Sequence, residues 1–195
     1  MGERATRHLR HQSRSGGRAL LVVDMLNRYE HPEADRLAES VAEAVPGVTT
    51  LLKRADELDV PVVYVNDNYG DWNSSAAEKA LAGAHPELVD PVLPPAGASF
   101  VTKARHNTFY GTPLEYLLDQ IGVEHLVFAG QVTEQCILYS VIDAYVRHFD
   151  VAVVTDAVAS IYQDLGDAAL MMMERNLSAE LTDANSCTFD RDNGD

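Results

Sequence analysis

The feature that most constrains the fold is an alternation of short apolar runs with segments of helical spacing, which continues from residue 18 to residue 185. Strands are predicted at 19–24, 61–65, 99–102, 125–129 and 151–155, with a last edge strand at 179–182. Strands that alternate with helices favour parallel pairing, because each return to the sheet requires a crossover. We therefore predict a single three-layer α/β/α domain around a mostly parallel sheet of five to six strands.

Helical spacing between these strands predicts helices near 33–58, 76–82, 134–146 and 166–177, with a further helix that opens at 112–113. In the first of them, Pro46 and Gly47 are expected to kink or divide the helix. The proline-rich segment 83–97 is expected to be irregular. Thr112 is the predicted N-cap of the third helix, with Pro113 at its first position and Glu115 completing a capping box.

Length and charge limit the class of protein. A chain of 195 residues fits one domain. Its formal net charge is -15, and the excess of negative charge lies after residue 18, because five arginines stand in the first 18 residues. A body this acidic repels phosphates, so no nucleic acid partner is expected. With neither a secretory segment nor a long apolar stretch, we expect a cytoplasmic protein without a membrane partner. Residues 1–17 are expected to form a disordered basic tail and 186–195 a flexible one.

Three chemically distinctive side chains stand at or just beyond strand ends. Asp24 closes the first strand, Lys103 closes the third, and Cys136 follows the fourth on the first turn of a helix. Because the carboxyl ends of parallel strands share one edge, these side chains can meet. A helix start carries partial positive charge and is expected to hold the cysteine partly as thiolate. We predict Cys136 as nucleophile, Asp24 as proton carrier and Lys103 as charge support, which suggests amide hydrolysis.

Backbone N–H groups at the start of that helix are expected to stabilise the oxyanion of a tetrahedral intermediate. Thr133 has the offset of an N-cap, so the donors are expected to be the N–H groups of Thr133 and Cys136. The pocket walls should come from loops on the same edge, and aromatic and amide side chains there suit a planar or weakly polar amide. These predicted substrate-binding residues are Tyr29, Asn68, Trp72, His106, Phe109, Tyr110 and Gln131.

Four motifs, read in order, resemble the isochorismatase-like cysteine hydrolases and their amide-cleaving branch. They lie at 19–25, 103–114, 130–136 and 154–159. The resemblance implies a doubly wound sheet and a catalytic triad at Asp24, Lys103 and Cys136. It also implies a non-proline cis peptide, mapped onto Val132-Thr133, that turns a backbone N–H toward the oxyanion and makes Val132 part of the oxyanion hole. Members of this family usually form homodimers or homotetramers, and a small-molecule amide is the implied partner.

Departures from the family pattern narrow this expectation. Nicotinamidases bind a metal through an aspartate and histidines after the second strand, whereas residues 66–72 contain no histidine. Asp67 and Asp71 alone would make a poor transition-metal site, so neither a metal nor another cofactor is expected. Leu26-Asn27 stands where the family has a glutamine-asparagine pair, which changes the pocket wall beside Asp24.

The leading hypothesis is a cysteine-dependent hydrolase that cleaves a C–N bond of a small amide, ureide or lactam through a thioester. A non-catalytic, oligomeric metabolite-binding protein that retains the triad is the first alternative, and a strongly lowered pKa of Cys136 would favour the enzyme over it. An isochorismatase-type vinyl ether hydrolase is the second, although those enzymes lack the cysteine. Cys187 is interpreted as incidental, and no G-x-G-x-x-G turn indicates nucleotide-dependent oxidoreduction.

Overall fold

The computed structural model describes residues 16–70 and 76–189. Most of the expected N-terminal tail, the last six residues and the predicted pocket residue Trp72 lie outside this range. The strands are β1 Gly17–Val23, β2 Val62–Asp67, β3 Ser99–Lys103, β4 Val123–Gln131, β5 Asp150–Ala159 and β6 Glu180–Thr182. The α-helices are α1 Ala34–Glu57, α2 Ala76–Leu81, α3 Pro86–Val89, α4 Leu114–Gln120, α5 Leu138–Val146 and α6 Gln163–Leu177.

The six strands form one sheet in the order β3-β2-β1-β4-β5-β6, and every neighbouring pair is parallel. This confirms the predicted single α/β domain with helices flanking a parallel sheet. The chain winds outward in both directions from β1 and β4, so the crevice at which the winding reverses lies between these two strands. Ligands of doubly wound sheets bind beyond the carboxyl ends of the strands at such a point.

Successive side chains of β1 pack alternately into two separate hydrophobic cores, as expected for a strand buried on both faces. Leu20 and Val22 pack in the core that includes the buried face of α1. Leu21 lies in the opposite core, together with Leu118 of α4 and Met173 of α6. The carboxyl end of the strand is therefore held from both sides, which fixes the position of the residue that follows it.

Helix α1 runs unbroken through Pro46 and Gly47, so the expected division of this helix is wrong. Packing against β5 overrides the local preference of the two residues. A Cβ at Gly47 would lie 2.3 Å from the carbonyl oxygen of Asp156, which shows how closely the helix approaches the strand. The tertiary contact requires a residue without a side chain here, and the same contact keeps the helix whole.

Two further local expectations need correction. The proline-rich segment contains α3 and a 3-10 turn at Asp90–Val92, because Pro86 and Pro91 stand at helix starts, where a missing N–H costs nothing. Helix α4 begins at Leu114 with Pro113 in the N-cap position, one residue later than expected. The Thr112 Oγ1 still accepts a hydrogen bond from the Leu114 N–H at 3.3 Å, but Glu115 pairs with Arg147 instead of completing a capping box.

The chain after β6 packs back onto α1. Cys187 and Phe189 are buried, although both fall in the segment that was expected to be a flexible tail. Arg54 of α1 donates to the backbone oxygens of Ala184 and Asn185, and its guanidinium lies over the ring of Phe189. Across residues 16–70 and 76–189, no helix combines the length and hydrophobicity that a membrane crossing requires.

Candidate active site

Asp24 follows β1 directly and turns sharply out of the strand. Its φ of 55° is in the left-handed region, which aspartate tolerates better than most residues. Its N–H still donates to the Val65 oxygen at 2.8 Å, as in a continuing strand. Its carbonyl accepts a hydrogen bond from Gln131 Nε2 at 2.6 Å, which ties β1 to the end of β4. The carboxylate is thereby aimed into the crevice between the two strands.

Lys103 closes β3, two strands away from β1, and its long side chain spans the end of β2. It is 1% exposed, and its Nζ lies 2.7 Å from Asp24 Oδ2 and 3.7 Å from Asp67 Oδ2. The other oxygen of Asp24 accepts the Asp67 N–H at 2.8 Å. Both oxygens of the buried carboxylate therefore have a donor, which is what makes burial of the ion pair tolerable.

The nucleophile turn begins where β4 ends. Gly130 has a φ of 119°, and a Cβ there would lie 2.1 Å from the Val23 oxygen, so only glycine fits between the two central strands. The cis peptide bond joins Gln131 to Val132, one residue earlier than the predicted Val132-Thr133 bond. β4 runs on to Gln131, which leaves Val132 as the residue that connects the strand to the helical turn.

The turn that carries Cys136 is a π-helical segment, Thr133–Ile137, that leads directly into α5. Val132 is its N-cap residue, so the prediction of Thr133 as N-cap is wrong. The Thr133 hydroxyl instead donates to the Ala159 carbonyl at 3.0 Å, because β5 lies alongside and offers an acceptor. Glu134 accepts hydrogen bonds from the N–H groups of Ile161 and Tyr162, which fixes the turn to the start of α6.

The sulfur of Cys136 lies among the groups that the sequence singled out. Lys103 Nζ donates toward Sγ at 3.6 Å, and His106 Nδ1 lies at the same distance on the other side. The Asp24 carboxyl and the Val132 backbone lie close enough to the thiol to influence its pKa. An acid, an ammonium group and a thiol from three strand ends thus meet at one point.

The protonation of this cluster differs from expectation. Burial and the neighbouring Asp24 carboxylate raise the pKa of the Cys136 thiol, although Lys103 and the Val132 N–H act to lower it. The prediction of a cysteine held partly as thiolate is therefore wrong, because the first turn is too deeply buried for its dipole to prevail. The lowered pKa that would have favoured the enzyme over a metabolite-binding protein is not found. Burial also raises the pKa of Asp24 despite the adjacent ammonium group. Burial alone would lower the pKa of Lys103, but the Asp24 carboxylate raises it, and the lysine stays charged.

A cavity of about 350 Å³ opens onto this cluster. Of the predicted pocket residues, His106 and Gln131 line it. Gln131 Oε1 is buried without a hydrogen-bond partner among the described residues, so it is an unused acceptor in the cavity wall. The remaining lining residues are Asp24, Asn27, His31, Glu33, Leu37, Asp67, Tyr69, Lys103, Val132, Gln135, Cys136, Ile161 and Tyr162.

The other predicted pocket residues lie elsewhere. Tyr29 is buried behind Gln131, whose Nε2 approaches its hydroxyl at 3.4 Å, and Asn68 lines a smaller neighbouring cavity. Phe109 packs in the core against Phe149, since the loop after β3 folds down over α5. Tyr110, in the same loop, is 67% exposed and points away from the cavity. Trp72 falls in the stretch that is not described.

Several residues that line the cavity were not predicted from the sequence. His31 and Glu33 precede α1, and Ile161 and Tyr162 precede α6. Both segments follow strands that end at the active-site edge, which is the signal that could have identified them. Tyr69 also lines the cavity although its side chain is half-exposed, and burial together with the Asp24 and Asp67 carboxylates raises its pKa.

The loop that carries His106 is fastened to α5. The Ser140 hydroxyl donates to the Cys136 carbonyl at 2.6 Å and accepts the Thr108 N–H at 3.0 Å. Asn107 Nδ2 donates to Asp143 at 2.9 Å. These bonds link the nucleophile turn to the loop after β3, so the spacing between His106 and the sulfur is set by backbone anchors on both sides.

No group of three or more His, Cys, Asp or Glu side chains in the described part of the chain has the arrangement of a metal site. His85, the histidine nearest after β2 in sequence, contacts Glu87 at 2.9 Å and packs edge-on against Tyr29. Asp67 interacts with Lys103, and Asp71 lies outside the described residues.

The family of the chain follows from comparison with known proteins. A model of the isochorismatase domain matches residues 18–186, and the chain belongs to this family. An uncharacterized isochorismatase family protein of Bacillus subtilis, YaaI, is 31% identical over 168 residues, which cover 85% of this chain and 93% of that protein.

Two relatives carry the name of an activity. Maleamate amidohydrolase of Pseudomonas putida is 31% identical over 163 residues, 78% of this chain and 76% of that protein. The crystal structure of N-carbamoylsarcosine amidase from Thermoplasma acidophilum superposes with a TM-score of 0.67 at 28% identity, over 88% of this chain and 98% of that one. Both names describe the cleavage of C–N bonds in small amides.

Proposed function

We propose that this chain is a hydrolase of C–N amide bonds, with a small amide, ureide or lactam as substrate and Cys136 as nucleophile. The observation that carries the proposal is the meeting of Lys103 Nζ, the Asp24 carboxyl and Cys136 Sγ at the floor of one cavity. Relatives named as amidohydrolase and amidase support the C–N bond as the target.

Asp24 acts as the base that activates the thiol. Because the pKa of Cys136 is raised, attack requires removal of the proton as the C–S bond forms, and the Asp24 carboxylate, which is close enough to raise that pKa, is the base in position to take it. The raised pKa of Asp24 makes its carboxylate a stronger base than an exposed aspartate. Lys103 keeps that carboxylate ionised and adds a positive charge beside the sulfur.

The reaction then runs through two tetrahedral intermediates. The sulfur attacks the carbonyl carbon, the thiol proton passes to Asp24, and the carbonyl oxygen becomes an oxyanion. Collapse breaks the C–N bond, and Asp24 gives the proton to the leaving nitrogen. A water molecule then attacks the thioester, with its proton taken by Asp24 and returned to the sulfur as the acid leaves.

Backbone N–H groups at the nucleophile turn hold the oxyanion in this proposal. Val132, Thr133 and Cys136 are the proposed donors, since they lie at the start of the helical segment that carries the sulfur. Donors of this kind are each worth about 3–4 kcal/mol of transition-state stabilisation in other enzymes.

The test is a turnover screen over nicotinamide, carbamoyl amino acids, biuret, maleamate and cyclic lactams, with ammonia release and product mass as readouts. Cys136→Ala should abolish turnover of every substrate found. Cys187→Ala is the matched control, because Cys187 is equally buried but packs in the core against α1. Turnover that survives in the Cys136→Ala protein contradicts the proposal, and loss of turnover in both variants indicates a folding defect.

A further inference from the structure

The charges that line the active-site cavity are predominantly negative. Asp24, Glu33 and Asp67 contribute three carboxyl groups, and Lys103 is the only lysine or arginine among the described lining residues. The raised pKa of the Tyr69 hydroxyl, caused by burial and by two of these carboxylates, indicates the same local field. The chain as a whole carries a formal net charge of -15, which adds to the repulsion of anions.

The one ammonium group of the cavity is already neutralised. Lys103 is 1% exposed and lies 2.7 Å from Asp24 and 3.7 Å from Asp67. A substrate carboxylate that paired with Lys103 would have to displace Asp24 and so remove the base from the reaction. Lys103 therefore cannot serve both as charge support for Asp24 and as the binding site of a substrate anion.

The two histidines of the cavity do not replace the missing cation. His31 Nδ1 faces Glu33 Oε2 at 3.8 Å, so a proton on this ring is balanced by that carboxylate. His106 Nδ1 lies 3.6 Å from the sulfur and its ring packs against Tyr139, which places it at the reacting carbonyl. A carboxylate at the far end of a substrate would face Glu33 at the cavity mouth.

From this charge distribution we infer that the enzyme selects amides or ureides without a carboxylate: neutral or cationic substrates enter the cavity, and half-amide anions are rejected. The inference rests on the proposed function and narrows its substrate class. It separates this chain from the relative named for maleamate, whose substrate is a half-amide anion.

Two alkylating reagents of nearly equal size test the charge preference without requiring turnover. Iodoacetamide is neutral and iodoacetate is anionic, and both alkylate a thiol with loss of iodide. In a Cys187→Ala background, so that Cys136 is the single thiol, the rate ratio of iodoacetamide to iodoacetate should be at least ten times the ratio for the same protein unfolded in urea. A ratio equal to or below the unfolded value overturns the inference.

Glu33→Gln should narrow this ratio several-fold, mainly by speeding the reaction with iodoacetate. Glu39→Gln is the matched control, because Glu39 lies on α1, the helix that Glu33 precedes, is exposed and does not line the cavity. An identical effect of both substitutions would show that net charge, and not the cavity, sets the ratio, and would also overturn the inference.

The two proposals fail in different ways. If the protein shows the expected ratio of alkylation rates but forms no adduct with any amide, the inferred charge preference of the cavity holds and the proposed function is refuted. If maleamate is turned over faster than its neutral diamide and Cys136 is required, the proposed function holds and the inferred charge selectivity is refuted. A Cys136 that is inert to both reagents and also forms no adduct with any amide overturns both.

Discussion

Replacement of Lys103 by methionine removes the only ammonium group beside the buried Asp24 carboxylate and fills nearly the same volume. Asp24 is 5% exposed and Lys103 is 1% exposed, so water cannot easily replace the lost partner. Asp24 would keep one donor, the Asp67 N–H at 2.8 Å, and lose the 2.7 Å contact to Nζ. Removing one member of a buried ion pair costs about 3–5 kcal/mol of unfolding free energy, which is the loss that we expect at neutral pH.

The pH dependence of this loss follows from the direction of the Asp24 pKa. Burial already raises that pKa above 3.8, and loss of the lysine removes the opposing influence and raises it further. A carboxyl group with a raised pKa in the folded state stabilises the protein when protonated, and this contribution disappears as the pH rises through the folded pKa. Lys103→Met should therefore be destabilised more at pH 8 than at pH 5.

Urea unfolding monitored by circular dichroism at both pH values measures these differences. The double variant Asp24→Asn, Lys103→Met carries no charge at either position and should recover about 2 kcal/mol or more relative to Lys103→Met at pH 8. The reasoning is refuted by a single variant as stable as the parent at pH 8, or by a double variant no more stable than the single one.

Three further predictions concern the site and its supports. Gly130→Ala should lose about 4 kcal/mol or more of unfolding free energy, because the added Cβ meets the Val23 oxygen. Gly97→Ala, also at positive φ but in open space, should lose about 1 kcal/mol. Equal losses in urea unfolding would contradict this reasoning. The value of kcat/KM should fall as the pH drops through the raised pKa of Asp24, because the base becomes protonated. A kcat/KM profile that stays flat down to pH 3.8 would argue against Asp24 as the base. Glu134→Ala should cost about 1–3 kcal/mol by orphaning two N–H groups at the start of α6, and an unchanged unfolding midpoint would contradict that role.

Much of the architecture could be read from the sequence because its signals are local. Apolar runs that alternate with helical spacing identified every strand, and the positions of Asp24, Lys103 and Cys136 at strand ends predicted that they would meet. Parallel topology brings strand ends together regardless of their distance along the chain, so this part of the site required no knowledge of loop conformation.

The rest depended on packing that no local pattern reveals. Gly47 keeps α1 whole only because of its contact with β5, and Thr133 bonds to β5 instead of capping its own helix. Phe109 and Tyr110 are adjacent, yet one is buried in the core and the other is exposed, since the fold of the loop decides which side chain faces inward. The raised pKa of Cys136 likewise reflects burial that its sequence position does not show.

The most direct test of the central claim is mass spectrometry of intact protein after rapid acid quench during turnover. We predict an acyl adduct of the substrate mass less its leaving amine, located by peptide mapping on Cys136 and not on Cys187. The adduct should be absent from the Cys136→Ala protein. Steady turnover with no adduct on Cys136 at any quench time, together with activity that persists in the Cys136→Ala protein, would contradict the account.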